Sequence, residues 1–150
     1  MMVKFCFISL AISCISLFRV SAVIINPCQL ADIMMNNLKL KKSSAAQWVC
    51  LAKFASGFNT EAVNGPYKDG SYDFGIFQIN DKFCRKGTKE SCGVRCTDLV
   101  SNNVTLSAIC GLVIQKKQGF NYWPSWENNC RNKDSSFYLQ KCEFKTLSNG

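Results

Sequence analysis

Eight cysteines, Cys28, Cys50, Cys84, Cys92, Cys96, Cys110, Cys130 and Cys142, lie beyond residue 22 of a 150-residue chain and restrict its fold more than any other feature. An even complement of this kind in an exported chain predicts four disulfides, each typically worth about 2–4 kcal/mol. Two further cysteines, Cys6 and Cys14, lie in sequence of another kind. There, Lys4 precedes an apolar run from Phe5 to Phe18, and Val20-Ser21-Ala22 sets small residues at the cleavage positions of a secretory signal. The run is shorter than the roughly 20 residues a membrane span needs, and no later stretch is uniformly apolar. The expected organisation is a signal at 1–22 and one exported, soluble, monomeric domain at 23–150. Cys92-x3-Cys96 has no second such pair, which argues against a structural zinc site. Spacing alone leaves on the order of a hundred pairings open.

The chain contains no histidine. Ser-His-Asp and Cys-His hydrolysis and histidine-based zinc catalysis are therefore excluded. Lys4 and Arg19 fall in the signal while all ten acids follow it, so sixteen basic residues remain and the formal charge is +6. That surplus favours anionic partners such as bacterial surfaces. The lysines are scattered without interleaved aromatics, so no nucleic-acid partner is expected.

Helix signals dominate. Asn26-Pro27 starts a helix with apolar residues at 28, 31, 34, 35 and 38. Ser43-Ser44 offers caps for a second, with Ala45, Trp48, Val49, Ala52 and Ala55 on one stripe and Gly57 at its end. Asp69-Gly70 marks a tight turn in a small antiparallel hairpin, with Asp73 just beyond it. Residues 81–97 read as a loop held by bridges. Asn102-Asn103 caps a third helix, apolar nearly all round from Val104 to Ile114 and therefore expected at the centre of the domain. A short fourth helix is expected over Pro124–Asn129. Asn103-Val104-Thr105 is also a glycosylation sequon, read here as a cap.

Trp48-Val-Cys-Leu-Ala-Lys-Phe, Ser71-Tyr-Asp-Phe-Gly-Ile-Phe-Gln-Ile-Asn80, Cys92-x3-Cys96-x13-Cys110 and Trp123-x2-Trp126-x3-Cys130 occur in that order. Over Asn26 to Cys142 the chain resembles the chicken-type lysozyme and α-lactalbumin family. The resemblance implies an α+β fold, a helical lobe and a small antiparallel β lobe with a saccharide cleft between. It also implies the pairing Cys28–Cys142, Cys50–Cys130, Cys84–Cys96 and Cys92–Cys110. Lysozyme is the type example of two-carboxylate glycoside hydrolysis: a glutamic acid held in an apolar pocket protonates the leaving oxygen while an aspartate stays ionised. Asp73 matches the aspartate and Trp123 the pocket tryptophan. The glutamate position reads Ala55.

A methyl group has no proton to donate. Glu61 would lie about 240° round and 9 Å along even if the helix continued, and Asp69 would approach from the wall that already carries Asp73. Gln78 and Asn80 are retained and suit hydroxyl and amide recognition. Tyr122 stands where the family has a small residue, so its ring is expected to fill part of a central subsite, and Asp81-Lys82-Phe83 shortens an aromatic pair that would stack on a sugar. Asp73 reads as a binding carboxylate or as a turn residue bonded to local amides. Asp98 alone after Cys96 is too little acid for calcium, and no cofactor or metal is implied. The expected function is binding to peptidoglycan or a related amino-sugar glycan, or to a protein partner, with little muramidase activity. The alternatives are a weak hydrolase using Asp73 and a cationic antimicrobial that needs no cleft.

Overall fold

The structure is a computed structural model that describes residues 23–144; the expected signal at 1–22 lies outside the described residues. Helix α1 (Pro27–Asp32) starts as its sequence predicts. The Asn26 side chain accepts from the Cys28 N–H at 2.8 Å, and Gln29 Oε1 accepts from the Asn26 N–H at 3.4 Å, a reciprocal cap that satisfies otherwise unpaired donors. The helix runs on as a wider π turn over Ile33–Asn37 and buries Leu30, Ala31 and Met34.

Helix α2 (Lys42–Ser56) is the axis of the helical lobe, burying Ala45, Trp48, Val49 and Ala52 as the stripe predicts. It ends at Gly57, whose left-handed φ of 61° closes the last turn. Its start differs from expectation. Ser43 and Ser44 lie inside the first turn, and the N-cap is Lys41, which makes no side-chain capping bond. They stand two and three residues past the N-cap, and a cap must precede the first helical φ/ψ pair.

The β lobe is a three-stranded antiparallel sheet rather than a single hairpin: β1 (Val63–Asn64), β2 (Asp73–Phe74) and β3 (Ile79–Asn80), in that order. The register places Asn64 opposite Asp73 and Asp73 opposite Asn80. The expected turn at Asp69-Gly70 forms, with the Gly70 N–H donating to the Tyr67 carbonyl at 2.9 Å. It tips a loop longer than a two-residue hairpin turn.

Helix α3 (Thr105–Gln118) has Val104 at its N-cap, with no side-chain capping bond, so the expected cap at Asn102-Asn103 is displaced: Asn103 stands one residue earlier and its side-chain oxygen accepts from the Thr105 N–H at 3.1 Å, a local turn that leads into the helix. Its expected all-round burial does not occur. Ser107, Ala108, Cys110, Gly111 and Ile114 are buried, whereas Leu106 and Ile109 are 41% and 40% exposed. In a domain this small a single face of the helix meets the core, and an apolar residue on the other face stays in water. Helix α4 (Pro124–Asn129) has the predicted bounds.

All four expected disulfides form: Cys28–Cys142, Cys50–Cys130, Cys84–Cys96 and Cys92–Cys110. The first two tie the C-terminal segment to α1 and α2, and the others fasten the 81–97 loop to itself and to α3. Trp48 sits at the centre, its ring 5.1 Å from Phe77 of the β lobe, 4.9 Å from Phe120 and 5.6 Å from Trp123. One indole thus joins the two lobes beneath the groove that separates them.

Candidate functional site

A cleft of about 760 Å³ runs between the lobes. The C-terminal end of α2 and the start of α4 build one wall from Phe54, Ala55, Tyr122, Trp123, Pro124 and Ser125. The sheet and its long loop build the other, which holds Asn64, Tyr67, Asp69, Asp73, Gln78 and Asn80. The sequence-predicted site residues Ala55, Asp73, Gln78, Asn80, Tyr122 and Trp123 therefore all converge. Among the described residues lining the cleft, the carboxylates are Asp69 and Asp73, both on the sheet wall; the helical wall carries none.

Asp73 is held by side chains, not by the local amides that a turn aspartate would use. The Tyr67 hydroxyl donates to its Oδ2 at 2.8 Å, and the Asn80 amide donates to its Oδ1 at 2.9 Å. The register explains the second bond, since Asp73 and Asn80 are directly paired across β2 and β3. Asp69 accepts from the Ser71 hydroxyl at 2.7 Å and from the Ser71 N–H at 3.0 Å. These bonds hold its carboxyl below the usual carboxylate range, so Asp69 is an anion, not a proton donor, near neutral pH.

Neighbouring groups offer no substitute acid. The Ser56 hydroxyl donates to the Ile76 carbonyl at 2.7 Å, and Glu61 is not among the lining residues. Gln78 is at the cleft but its amide is engaged: Nε2 donates to the Gly75 carbonyl at 2.8 Å and Oε1 accepts from Asn64 at 2.6 Å. Its positive φ of 50° turns the chain from β2 to β3, so Gln78 braces the wall of the groove.

Tyr122 projects from the helical wall, edge-on to Trp123 and Phe83, each with ring centres 5.1 Å away. Phe83 is buried beneath it and Lys82 Nζ lies 5.3 Å from the Tyr122 ring centre. The shortened aromatic segment is therefore a support for Tyr122 and not a platform for a sugar. Trp123 is 2% exposed, and its indole N–H is buried without a partner at the cleft wall. Trp48 is core, as expected; Trp126 stacks on Phe120 and donates to Gln47 at 2.9 Å.

Tyr67 is the site residue that sequence reasoning missed. A signal was present: it precedes Asp73 by six positions across the Asp69-Gly70 turn, so a folded loop returns its hydroxyl to the carboxylate. Burial raises the Tyr67 pKa above the ordinary phenol value, and the bond to Asp73 and that carboxylate's charge add to it. Burial likewise raises Tyr122, with the charges of Asp73, Glu90 and Asp81 acting in the same direction. The folded state thus binds both protons more tightly than the unfolded chain. Their contribution to stability is complete below about pH 10 and is lost as pH rises through the folded-state values. Thermal unfolding across alkaline pH should show this fall, and Tyr122→Phe should flatten it. An unchanged fall in that variant would mean that Tyr122 ionises as it does in the unfolded chain.

A disulfide-stapled two-lobe protein with a polar groove and one strand-borne carboxylate is the class that fold and site define. The family model of the C-type lysozyme/alpha-lactalbumin family matches residues 23–142. Lysozyme C of Semnopithecus entellus is 43% identical over 108 residues, covering 68% of this chain and 73% of that one. Lysozyme C-1 of Mus musculus is 36% identical over 129 residues, covering 81% and 87% respectively. The crystal structure of a lysozyme from Litopenaeus vannamei superposes with a TM-score of 0.70 at 30% identity, covering 82% of this chain and 99% of that one. The chain belongs to the C-type lysozyme/alpha-lactalbumin family.

Proposed function

We propose that this protein is exported after removal of residues 1–22 and holds an amino-sugar glycan of the bacterial cell wall in its cleft, with little or no hydrolysis. The observation that carries this reading is the chemistry of the two walls. Hydrolysis by the two-carboxylate route needs a protonated acid facing an ionised carboxylate across the bond. Here Asp73 supplies the carboxyl of the sheet wall, while the helical wall offers the Ala55 methyl. Asp69 cannot take the part, being on the same wall as Asp73 and fixed as an anion.

Binding needs less than catalysis. The cleft combines the Tyr122 ring, backed by the buried Trp123, with the Tyr67 hydroxyl and the Asp73 carboxylate, which suits recognition of sugar faces and hydroxyls. Four disulfides fit an oxidising compartment, and among the described residues no helix is long and apolar enough to cross a membrane. The start of the family match at residue 23 supports the proposed cleavage after Ala22.

Calorimetric titration with chitin and peptidoglycan fragments tests the reading. Saturable binding is expected, weakened about tenfold by Asp73→Asn, because a charge-assisted hydrogen bond is worth roughly 1.5–3 kcal/mol. No binding to either glycan class would remove the saccharide cleft as the functional site.

A further inference from the structure

A second cavity, about 310 Å³, opens at the N-terminus of α2 and shares no lining residue with the cleft. Lys42, Ser43 and Gln47 line it from the helix, and Lys133, Ser135 and Leu139 line it from the C-terminal segment. The first-turn N–H groups of a helix have no intrahelical partner, and Lys41 at the N-cap supplies no side-chain acceptor for them. The dipole of this 15-residue helix adds partial positive charge at the same end. Lys42 and Lys133 form no ion pair among the described residues. Gln47 Oε1 is taken by the Trp126 indole at 2.9 Å, leaving its amide N–H groups as donors.

A separate observation points to a ligand. Ser135 is 3% exposed, and its hydroxyl is buried without a hydrogen-bond partner. Buried hydroxyls in folded proteins are nearly always paired, so an orphan on a cavity lining calls for an acceptor that occupies the cavity. Donors arriving from the helix end, two ammonium groups, an amide and a hydroxyl suit a group with several oxygens on different sides. One group opposes it: Asp134 also lines the cavity, and its carboxylate, held low by Ser136, accepts from the Ser136 N–H at 2.9 Å.

We propose that this cavity binds a phosphate group, either as inorganic phosphate or as the headgroup of an anionic phospholipid. Calorimetric titration of the purified secreted protein with inorganic phosphate should show saturable binding. The double variant Lys42→Gln/Lys133→Gln and the single variant Ser135→Ala should each weaken it about tenfold or more, and Asp134→Asn should tighten it. Ser135→Ala removes an unpaired hydroxyl, so its melting temperature should hold or rise while its affinity falls; a purely structural serine would not separate the two. Lys116→Gln/Lys117→Gln removes the same charge from the last turn of α3 and should leave binding unchanged.

Vesicles of phosphatidylcholine with and without phosphatidylglycerol identify the source. Capture by the anionic vesicles that inorganic phosphate displaces assigns the headgroup, and absence of capture assigns free phosphate. The proposal is overturned by the absence of saturable phosphate binding, by full binding in Ser135→Ala, by an equal loss in the Lys116/Lys117 variant, or by vesicle capture that phosphate does not displace.

Discussion

A suspension of bacterial cell walls treated with the purified protein is expected to clear at least about 10²-fold more slowly than with an active C-type lysozyme. General acid catalysis contributes roughly 10²–10⁴-fold in rate, and no group on the helical wall can supply it. The comparison becomes sharper when the acid is restored. Ala55→Glu would set a carboxyl at the end of α2 on the wall that also holds Trp123, where apolar surroundings raise a carboxyl pKa into the range a donor needs. That change alone should give little activity, because Tyr122 occupies part of the groove and is braced by Phe83, Trp123 and Lys82. Ala55→Glu with Tyr122→Ala should clear cell walls at least about tenfold faster than Ala55→Glu alone, and Asp73→Asn should abolish the gain. Rapid clearing by the unaltered chain, lost on Asp73→Asn, would sink the binding reading. High activity from Ala55→Glu by itself would instead show that Tyr122 leaves the subsite open.

The convergence of the cleft was legible because its members sit on elements whose ends are strongly marked. Gly57 fixes where α2 stops, and hence where Ala55 points. The motif at residues 71–80 carries Asp73, Gln78 and Asn80 together, and the β2–β3 register sets Asp73 against Asn80. What the side chains do once there was less legible. Gln78 and Asn80 read as amides for recognition, yet the first bonds its own turn, because a chain reversing within five residues leaves carbonyls that nearby amides must satisfy, and the second bonds Asp73, its partner across β2 and β3. Tyr67 escaped notice because its role depends on the path of a loop that carries no periodic signal. The burial of α3 was overestimated for a related reason: an apolar sequence states that a residue tolerates the core, not that a partner surface exists for it. The serines expected to cap α2 lie inside its first turn, two and three residues past the N-cap, and that offset hid the uncapped helix end on which the proposed phosphate site rests.

The largest effect on stability from a single small substitution is expected at Gly75, between β2 and Gln78. Gly75 has a φ of +70°, and an added Cβ would fall 2.0 Å from the Leu99 carbonyl oxygen. That oxygen accepts the buried Ser107 hydroxyl at 3.0 Å, so it cannot retreat without breaking the bond that ties the Cys96–Leu99 turn to α3. Gly70 is a fair control, because its φ of +78° is similar but nothing lies within 4 Å of the corresponding Cβ. Left-handed backbone costs a side-chain-bearing residue about 1–2 kcal/mol, and overpacking against a fixed neighbour adds about 1–3 kcal/mol. Gly70→Ala should therefore cost only the first amount and Gly75→Ala the sum, about 2–5 kcal/mol, in denaturant unfolding. The same substitution should loosen the site. The Gly75 N–H donates to the Ala62 carbonyl at 2.7 Å and the Gly75 carbonyl accepts from Gln78, so a shift there disturbs the turn that sets Asn80 against Asp73. Glycan affinity should fall with stability in Gly75→Ala and stay near the unaltered value in Gly70→Ala. Equal unfolding free energies for the two variants would mean that Leu99 yields, and that the sheet is not anchored to α3 through this contact.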